Sequence, residues 1–388
     1  MKLSDEALTA ARALFPYLRE GRLYMNHAST SPLSSRVVSA LTAYLERRSA
    51  GKLETYPQDR EMVESLRGIV ARLINAESSE RIAIQGSTTD AINVVAAGLP
   101  WQAGDRVIIG AVEFPANVYP YLNLKQYGVE IDFLRADDGR ITPELIFSAV
   151  TPRTRLVALS AVQYLSGYRA DLDAVGDLCR DRGIVFAVDG IQAVGAVQVD
   201  VQRSKIDCLS AGAQKWQMSP HGTGFLYLTE ELQSRIRQKH LGWFSVEDPW
   251  RFHDHDQALA RGARRYEGGS LNMPGLWGMQ AALQTIMEFG PSRIESHILA
   301  ITGELIGQLG GLGGATLVTP EADAERAGIV TISLNKALDA REVFRRLDSE
   351  GLTIAVREGK LRYSPHFYNS SDDMRRAAEL TKECLTLA

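Results

Sequence analysis

The chain has 388 residues, 45% of them hydrophobic, which is enough for one large α/β domain of roughly 250 residues and a smaller one. With 43 basic against 47 acidic residues, a formal net charge of -4 and no basic run, it offers no electrostatic footprint for nucleic acid. Asp5 and Glu6 stand where a secretory leader would need a basic and then apolar run, and no segment approaches about 18 uncharged apolar residues, so the expectation is a cytoplasmic protein without a membrane partner.

In chain order, an amphipathic helix is predicted over 7–15, ended by Pro16, and a second over 37–48, after the Ser31-Pro32-Leu33 stop. From residue 62, helical stretches alternate with short apolar runs at 82–84, 106–109, 131–134, 156–159 and 184–188. Such runs read as strands buried on both faces, and strict alternation with helices implies right-handed crossovers and a mainly parallel sheet. Two further strands fall at 206–210 and 225–228, and an apolar helix at 274–289 can link two domains. A smaller α+β unit is expected from about Gly290, with strands at 329–334 and 361–364 around a helix at 340–347. The glycine cluster at 310–314 follows a helix and leads into a strand, so it is read as a turn and not as a nucleotide loop. Cys179, Cys208 and Cys384 are odd in number and lack CxxC spacing, which predicts buried thiols, no disulfide framework and no metal site.

Ligands of open parallel sheets sit beyond the carboxyl ends of the strands, so polar residues where an apolar run stops come first. Ser87, Thr88 and Thr89 open a helix directly after a strand, where backbone N–H groups and hydroxyls suit a phosphate, or where a serine simply caps the helix. Asp189 is the first charge after the run 184–188, with Gln192 three residues on; it can face the cleft or cap the next turn. Lys215 is the only charged side chain between Asp207 and Glu230. A lysine among small and apolar residues loses its proton readily, and the neutral amine attacks a carbonyl carbon, although a snorkelling structural lysine fits the same segment. Arg362, inside an apolar strand, calls for a planar anion, either a substrate carboxylate or an internal acid.

The order of these segments strongly resembles the class V aminotransferase family of fold-type I pyridoxal-phosphate (PLP) enzymes, the group of cysteine desulfurases, kynureninases and isopenicillin N epimerase-like proteins. The resemblance spans nearly the whole chain. It runs from Tyr24-Met25-Asn26-His27-Ala28 through Gly86-Ser87-Thr88-Thr89, Glu113-Phe114-Pro115-Ala116-Asn117, Asp189-Gly190-Ile191-Gln192 and Gln214-Lys215-Trp216 to Arg362 and Tyr368-Asn369. It implies a seven-stranded-type, mainly parallel sheet sandwiched by helices over 22–272, a linking helix at 273–289, and a small α+β domain formed by 1–21 and 290–388. It further implies a Schiff base on Lys215, Asp189 against the pyridinium nitrogen and Gln192 on the phenolic oxygen. Ser87, Thr88 and Thr89 would lie around the phosphate and Phe114 on the ring face. Arg362 would clamp the carboxylate of an amino-acid substrate, with Asn26 and His27 lining the cleft. A partner subunit's hydroxyl reaches the phosphate in this family. The matching segment here is Tyr266-Glu267-Gly268-Gly269-Ser270, with Ser270 in place of the usual threonine, so a homodimer is expected.

Departures bear on the reaction. Relatives such as the desulfurases carry histidine at position 114, and phenylalanine can stack but cannot move a proton; Phe114-Pro115 looks more like the kynureninase and epimerase side. Gln214 and Gly212 replace residues that touch the phosphate in many relatives. None of the three cysteines falls on a loop upstream of Arg362, where a desulfurase nucleophile belongs. The expectation is therefore an aminotransferase-like enzyme, with a β-lyase of the C–S or kynureninase type, or an epimerase without a catalytic cysteine, as the alternatives.

Overall fold

A computed structural model describes residues 2–52 and 56–386. Helix α1 (Asp5–Ala13) starts where Ser4 Oγ accepts from Ala7 N, and Asp5 and Glu6 lie at its positive end. That cap explains why the helix begins two residues before the apolar pattern does. Strand β1 (Leu23–Tyr24), α2 (Ser35–Ser49) and α3 (Tyr56–Leu73) follow.

The alternating region then unfolds in sequence order. Its strands are β2 (Ile82–Gln85), β3 (Arg106–Gly110), β4 (Glu130–Leu134), β5 (Thr154–Ser160), β6 (Val185–Asp189), β7 (Cys208–Gly212) and β8 (Gly224–Leu228). Helices α4 (Thr88–Gly98), α5 (Tyr119–Leu122), α6 (Pro143–Ala149) and α7 (Leu172–Arg182) connect them, and α8 (Glu230–Arg235) follows β8. Among the described residues the strands form one sheet in the order β2-β8-β7-β6-β5-β3-β4. Every pair is parallel except those made by β8, which runs against both β7 and β2. The reason is the connection: residues 213–223 form a loop without a helix, too short for a crossover, so β8 must return beside β7.

Both faces of the sheet are covered. Ile108, Phe186 and Val188 enter one hydrophobic cluster while their neighbours Val107, Ile109, Val185 and Ala187 enter the other, which is why these strands read as continuous apolar runs.

Helices α9 (Met273–Phe289) and α10 (Pro291–Leu309) meet at Gly290, and the glycine cluster 310–314 forms the turn that leads into β9 (Ala315–Leu317). Next come β10 (Val330–Leu334), α11 (Ala340–Ser349), β11 (Leu352–Thr353), β12 (Ala355–Arg357), β13 (Lys360–Tyr363) and α12 (Ser371–Thr386). An antiparallel sheet in the order β12-β13-β10-β9 packs with Ile301, Leu305, Val343, Leu347 and Met374 in a third cluster. Ala11 and Phe15 pack into the cluster of the large sheet, whereas Leu23 and Met25 join the third, because β1 pairs in parallel with β11. Strand β13 ends at Tyr363, one residue before the expected limit. Ser364 leaves the sheet to bridge Asn26, donating its N–H to Met25 O at 2.7 Å. No helix among the described residues is long and apolar enough to cross a membrane.

Candidate active site

Strands β6 and β7 are parallel, and β2 points the same way because it is antiparallel to β8. Their carboxyl ends therefore open on one edge of the sheet, where Asp189, Gly212 and the start of α4 meet. Asp189 closes β6 and is 2% exposed; its Oδ1 accepts from Ile191 N at 2.9 Å. Burial pushes its carboxyl up to about 7; the charge of Glu113 adds to this, while the Ile191 N–H and Lys215 oppose it.

Lys215 lies in the 213–223 loop, half-buried, with Nζ 5.5 Å from the centroid of the Phe114 ring. It has no hydrogen bond or ion pair among the described residues. Burial draws its ammonium down to about 8; Asp189 resists this, and Arg362 and Arg357 reinforce it. The amine and the Asp189 carboxyl thus sense each other without touching.

At α4, Ser87 Oγ caps the helix, accepting from Asp90 N at 3.1 Å and donating to Asp90 Oδ2 at 2.8 Å. Thr88 Oγ1 accepts from Gly212 N at 2.8 Å, which ties the helix start to the end of β7, and Thr89 is exposed. Gly212 permits that approach, since a Cβ there would lie 2.6 Å from Gln214 Oε1 and 3.1 Å from Thr88 Oγ1. Gln192 is engaged within the protein. Its Nε2 donates to Ala28 O at 3.0 Å and its Oε1 accepts from Trp216 Nε1 at 2.8 Å, leaving one amide N–H over.

Arg362 is 1% exposed on β13, inside the small sheet. It donates through Nη1 to Tyr164 O at 2.6 Å and through Nη2 to Ser29 Oγ at 2.9 Å. Its Nε is buried without a partner, and no carboxylate pairs with it among the described residues, so the internal-acid alternative is not what the chain provides. Burial, and then the charge of Arg357, lower it to about 9. Asn26 Oδ1 is likewise buried without a partner. Buried polar atoms left this way in a native fold point to a bound group.

His27 does not offer a free nitrogen to the cleft. Its Nδ1 donates to Ser364 O at 3.0 Å and its Nε2 accepts from Tyr368 OH at 2.8 Å, and its ring lies 6.0 Å from that of Trp216, the residue after Lys215. Its neighbour His366 accepts from Phe367 N on Nδ1 at 2.7 Å, and its Nε2 donates to the Trp216 carbonyl at 2.9 Å, which anchors the lysine loop to the small unit. Ser270 is exposed at a backbone φ of 31°, and no hydrogen bond or ion pair links it to the other candidates.

Several neighbours escaped the sequence reading. Ser29 and Tyr164 hold Arg362, and Arg357 donates through Nη2 to the same Ser29 Oγ at 3.0 Å. Arg357 stands only a few positions before Arg362 in the sequence, and that was the available signal. Glu113, quoted above without a role, is buried and accepts from Ser160 N (2.9 Å), Gln163 Nε2 (2.8 Å), Asn117 Nδ2 (3.2 Å) and Ser160 Oγ. Cys179, Cys208 and Cys384 are all buried on α7, β7 and α12. Strands β12 and β13 are joined by a two-residue turn with Glu358 at φ 47° and Gly359 at φ 70°, so this part of the chain has no loop that could carry a nucleophile.

Chemically, the assembly combines an amine that loses its proton near pH 8, a buried carboxyl that can share a proton with a ring nitrogen, an aromatic face, a helix start lined with hydroxyls, and a guanidinium without an acid.

Residues 23–370 match the family model for class-V aminotransferases. A probable cysteine desulfurase of Methanothermobacter thermautotrophicus is 30% identical over 95% of this chain and 96% of the relative. An uncharacterized aminotransferase of Bacillus subtilis is 28% identical over 95% of each. Among solved structures, the apo cysteine desulfurase of Thermococcus onnurineus NA1 superposes with a TM-score of 0.89 at 24% identity, covering 100% of both chains. The cystine C–S lyase C-DES, in complex with its reaction product cysteine persulfide, gives 0.86 at 22% identity, covering 95% of this chain and 99% of that one. These superpositions bear out the expected α/β fold with its mainly parallel sheet flanked by helices.

Proposed function

The chain belongs to the class-V aminotransferase family, and from that membership we propose that it is a pyridoxal-phosphate enzyme that cleaves the bond between Cβ and sulfur of an amino-acid substrate. The observation that carries the cofactor reading is the pair Lys215 and Asp189: a half-buried amine of lowered proton affinity and a buried carboxyl of raised proton affinity, each acting on the other's charge without a bond between them. When bound, pyridoxal phosphate supplies an acceptor for the electrons left at the substrate's Cα.

The chain's own groups divide the remaining work. Lys215 Nζ is the amine that would hold the cofactor's aldehyde carbon, and the same amine is placed to take a proton from the substrate's Cα. Asp189 is the carboxyl that would hold a proton on the cofactor's ring nitrogen, and the Glu113 charge raises its proton affinity. Phe114, beside Lys215, would offer its ring to the cofactor's face. Ser87, Thr88 and Thr89, at the positive end of α4, would hold the phosphate through backbone N–H groups and free hydroxyl hydrogens. Gln192 has one N–H left for the phenolic oxygen. Arg362 takes the substrate's α-carboxylate through its free Nε edge, and Asn26 Oδ1 lies ready to accept from the bound substrate. Ser270, exposed here, serves the phosphate of a second copy in a homodimer.

Sulfur chemistry is favoured over the transamination expected from the sequence because probable cysteine desulfurases recur among the relatives. With no thiol in the cleft and a closed β12–β13 hairpin, the sulfur departs with the product and never rests on the protein.

The test is to load purified protein with cofactor and supply cystine, cysteine, kynurenine and alanine. Release of pyruvate with sulfide or persulfide, and no sulfur added to the protein's thiols by mass, is expected. Conversion of the cofactor to its pyridoxamine form with steady keto-acid turnover would instead establish a transaminase. Exchange of the α-proton alone would establish an epimerase.

A further inference from the structure

We propose that Arg357, together with Ser29, forms a second anion subsite, so that the preferred substrate carries an acidic group on its side chain in addition to its α-carboxylate. The inference rests on the reading of the cleft as an amino-acid site and adds its substrate class.

Two guanidinium groups converge on one oxygen: Arg362 Nη2 and Arg357 Nη2 both donate to Ser29 Oγ, at 2.9 and 3.0 Å. The Nη2 atoms can therefore be no further apart than those two bonds laid end to end, a separation that a short diacid spans. Two cations this close repel, and neither has an acid. Among the described residues no carboxylate lies within ion-pair distance of Arg362 or Arg357, and Glu358, the next residue, does not fold back onto its neighbour. Both charges act on Lys215, lowering its proton affinity.

The hydrogen-bond inventory separates one shared anion from two. Arg362 uses one N–H of Nη1 on Tyr164 O and one of Nη2 on Ser29 Oγ. Arg357 uses one of Nη1 on Val356 O and one of Nη2 on Ser29 Oγ. Each guanidinium keeps its Nε–H and further N–H groups, enough for a two-pronged grip on a carboxylate of its own. Ser29 Oγ has both lone pairs occupied, and its hydrogen remains as one more donor between the two.

Position assigns the roles. Arg362 is buried in the sheet and takes the invariant α-carboxylate; Arg357 is exposed at the hairpin and meets whatever the side chain carries. The tight turn at Glu358 and Gly359 fixes β12 against β13 in register, Arg357 opposite Lys360 and Ala355 opposite Arg362, so the two arginines are held relative to one another. Carboxylate, sulfinate and sulfonate share the chemistry this subsite recognises.

The experiment uses cofactor-loaded protein and reads dissociation constants from the change in cofactor absorbance on adding L-cysteate or L-aspartate, against L-alanine and L-asparagine. The diacids are expected to bind roughly 10- to 100-fold more tightly than the neutral pair, in keeping with a charge-assisted hydrogen-bonded contact. In Arg357→Gln that ratio should collapse towards unity, and Arg357→Lys should restore part of it. Melting temperature is recorded alongside; a change in the ratio cannot come from a general loss of fold. If Arg357→Gln weakens alanine and cysteate by the same factor, both arginines serve one carboxylate and the second subsite is overturned while the clamp stands. If wild-type protein shows no preference for diacids, the subsite is likewise overturned. No spectral response to any amino acid would remove the amino-acid reading itself.

Discussion

Lys215 and Asp189 depart from ordinary values in opposite directions for the same reason, loss of solvent around the charged form. For Lys215 the consequence is kinetic. Only the neutral amine captures an aldehyde, so the rate of covalent cofactor uptake by apo protein should climb with pH and level off above about 8, whereas an ordinary lysine near 10.4 would still be climbing. Stopped-flow absorbance across pH 6 to 10, with borohydride reduction and peptide mapping to locate the label, checks both the value and the residue; a label elsewhere ends the assignment. For Asp189 the consequence is thermodynamic. An unfolded aspartate titrates near 3.9 and the folded one near 7, so the folded state holds the extra proton between these values. The group's contribution to stability is complete below about 4 and is lost as pH rises through about 7. Asp189→Asn keeps the acceptor for Ile191 N and removes the charge. Apo protein carrying it should be more stable than wild type at pH 8, on the order of 4 kcal/mol, and nearly equal to it at pH 4, while cofactor-dependent activity falls steeply. Denaturant titrations at the two pH values that gave equal differences would sink the argument.

Between elements, the meeting of β7 with α4 is the tightest joint of the site. Gly212→Ala puts a methyl 2.6 Å from Gln214 Oε1, which can swing aside, and 3.1 Å from Thr88 Oγ1, which is held by the Gly212 N–H itself. The overpacking should reduce stability by about 1 kcal/mol and weaken cofactor retention about 10-fold, because the start of α4 is displaced from the phosphate it is proposed to hold. Parallel thermal melts and absorbance titrations separate the two effects; unchanged cofactor affinity would detach this joint from phosphate binding. Most strands of the large sheet were readable in the sequence to within a residue or two, since burial on both faces leaves an unbroken apolar run between polar ends. Direction was not readable: nothing local in 224–228 announces that β8 runs backwards, a property of the loop before it. The site was legible where a residue ends its own strand, as Asp189 does, or opens its own helix, as Ser87 does. It was illegible where distant segments meet. Ser29 reaches Arg362 across 333 positions only because β1 pairs with β11 and Asn26 bridges Ser364. The partners of His27 were illegible for the related reason that Ser364 and Tyr368, which occupy both its nitrogens, come from the far end of the chain.

At the scale of the whole molecule, the segment 241–270 presents surface that a lone chain leaves wet. Leu241 is 64% exposed and Phe252 62%, and Trp250 stands edge-on between Trp243 and Phe252, at 5.5 and 5.9 Å. The same segment aims Ser270. Gly242 lies so close to Gly268 that a Cβ would fall 1.4 Å from its carbonyl oxygen, and the Trp243 indole fills the space beside Gly269, which together clamp the turn and leave Ser270 outward in a left-handed conformation. An aromatic face beside an outward hydroxyl fits the homodimer proposed above, in which Ser270 completes the phosphate site of the other copy. Mixed dimers test this directly. Lys215→Ala removes the amine from its own site, and Ser270→Ala removes the hydroxyl from its partner's. Unfolding and refolding the two variants together yields hybrids in which one site has lost both groups and the other has kept both. Each hybrid should therefore hold cofactor at one site with wild-type affinity, and turnover per Lys215 subunit should exceed that of the Ser270→Ala parent. If Ser270 acts within its own chain, every site that keeps Lys215 still lacks the hydroxyl, and mixing recovers nothing.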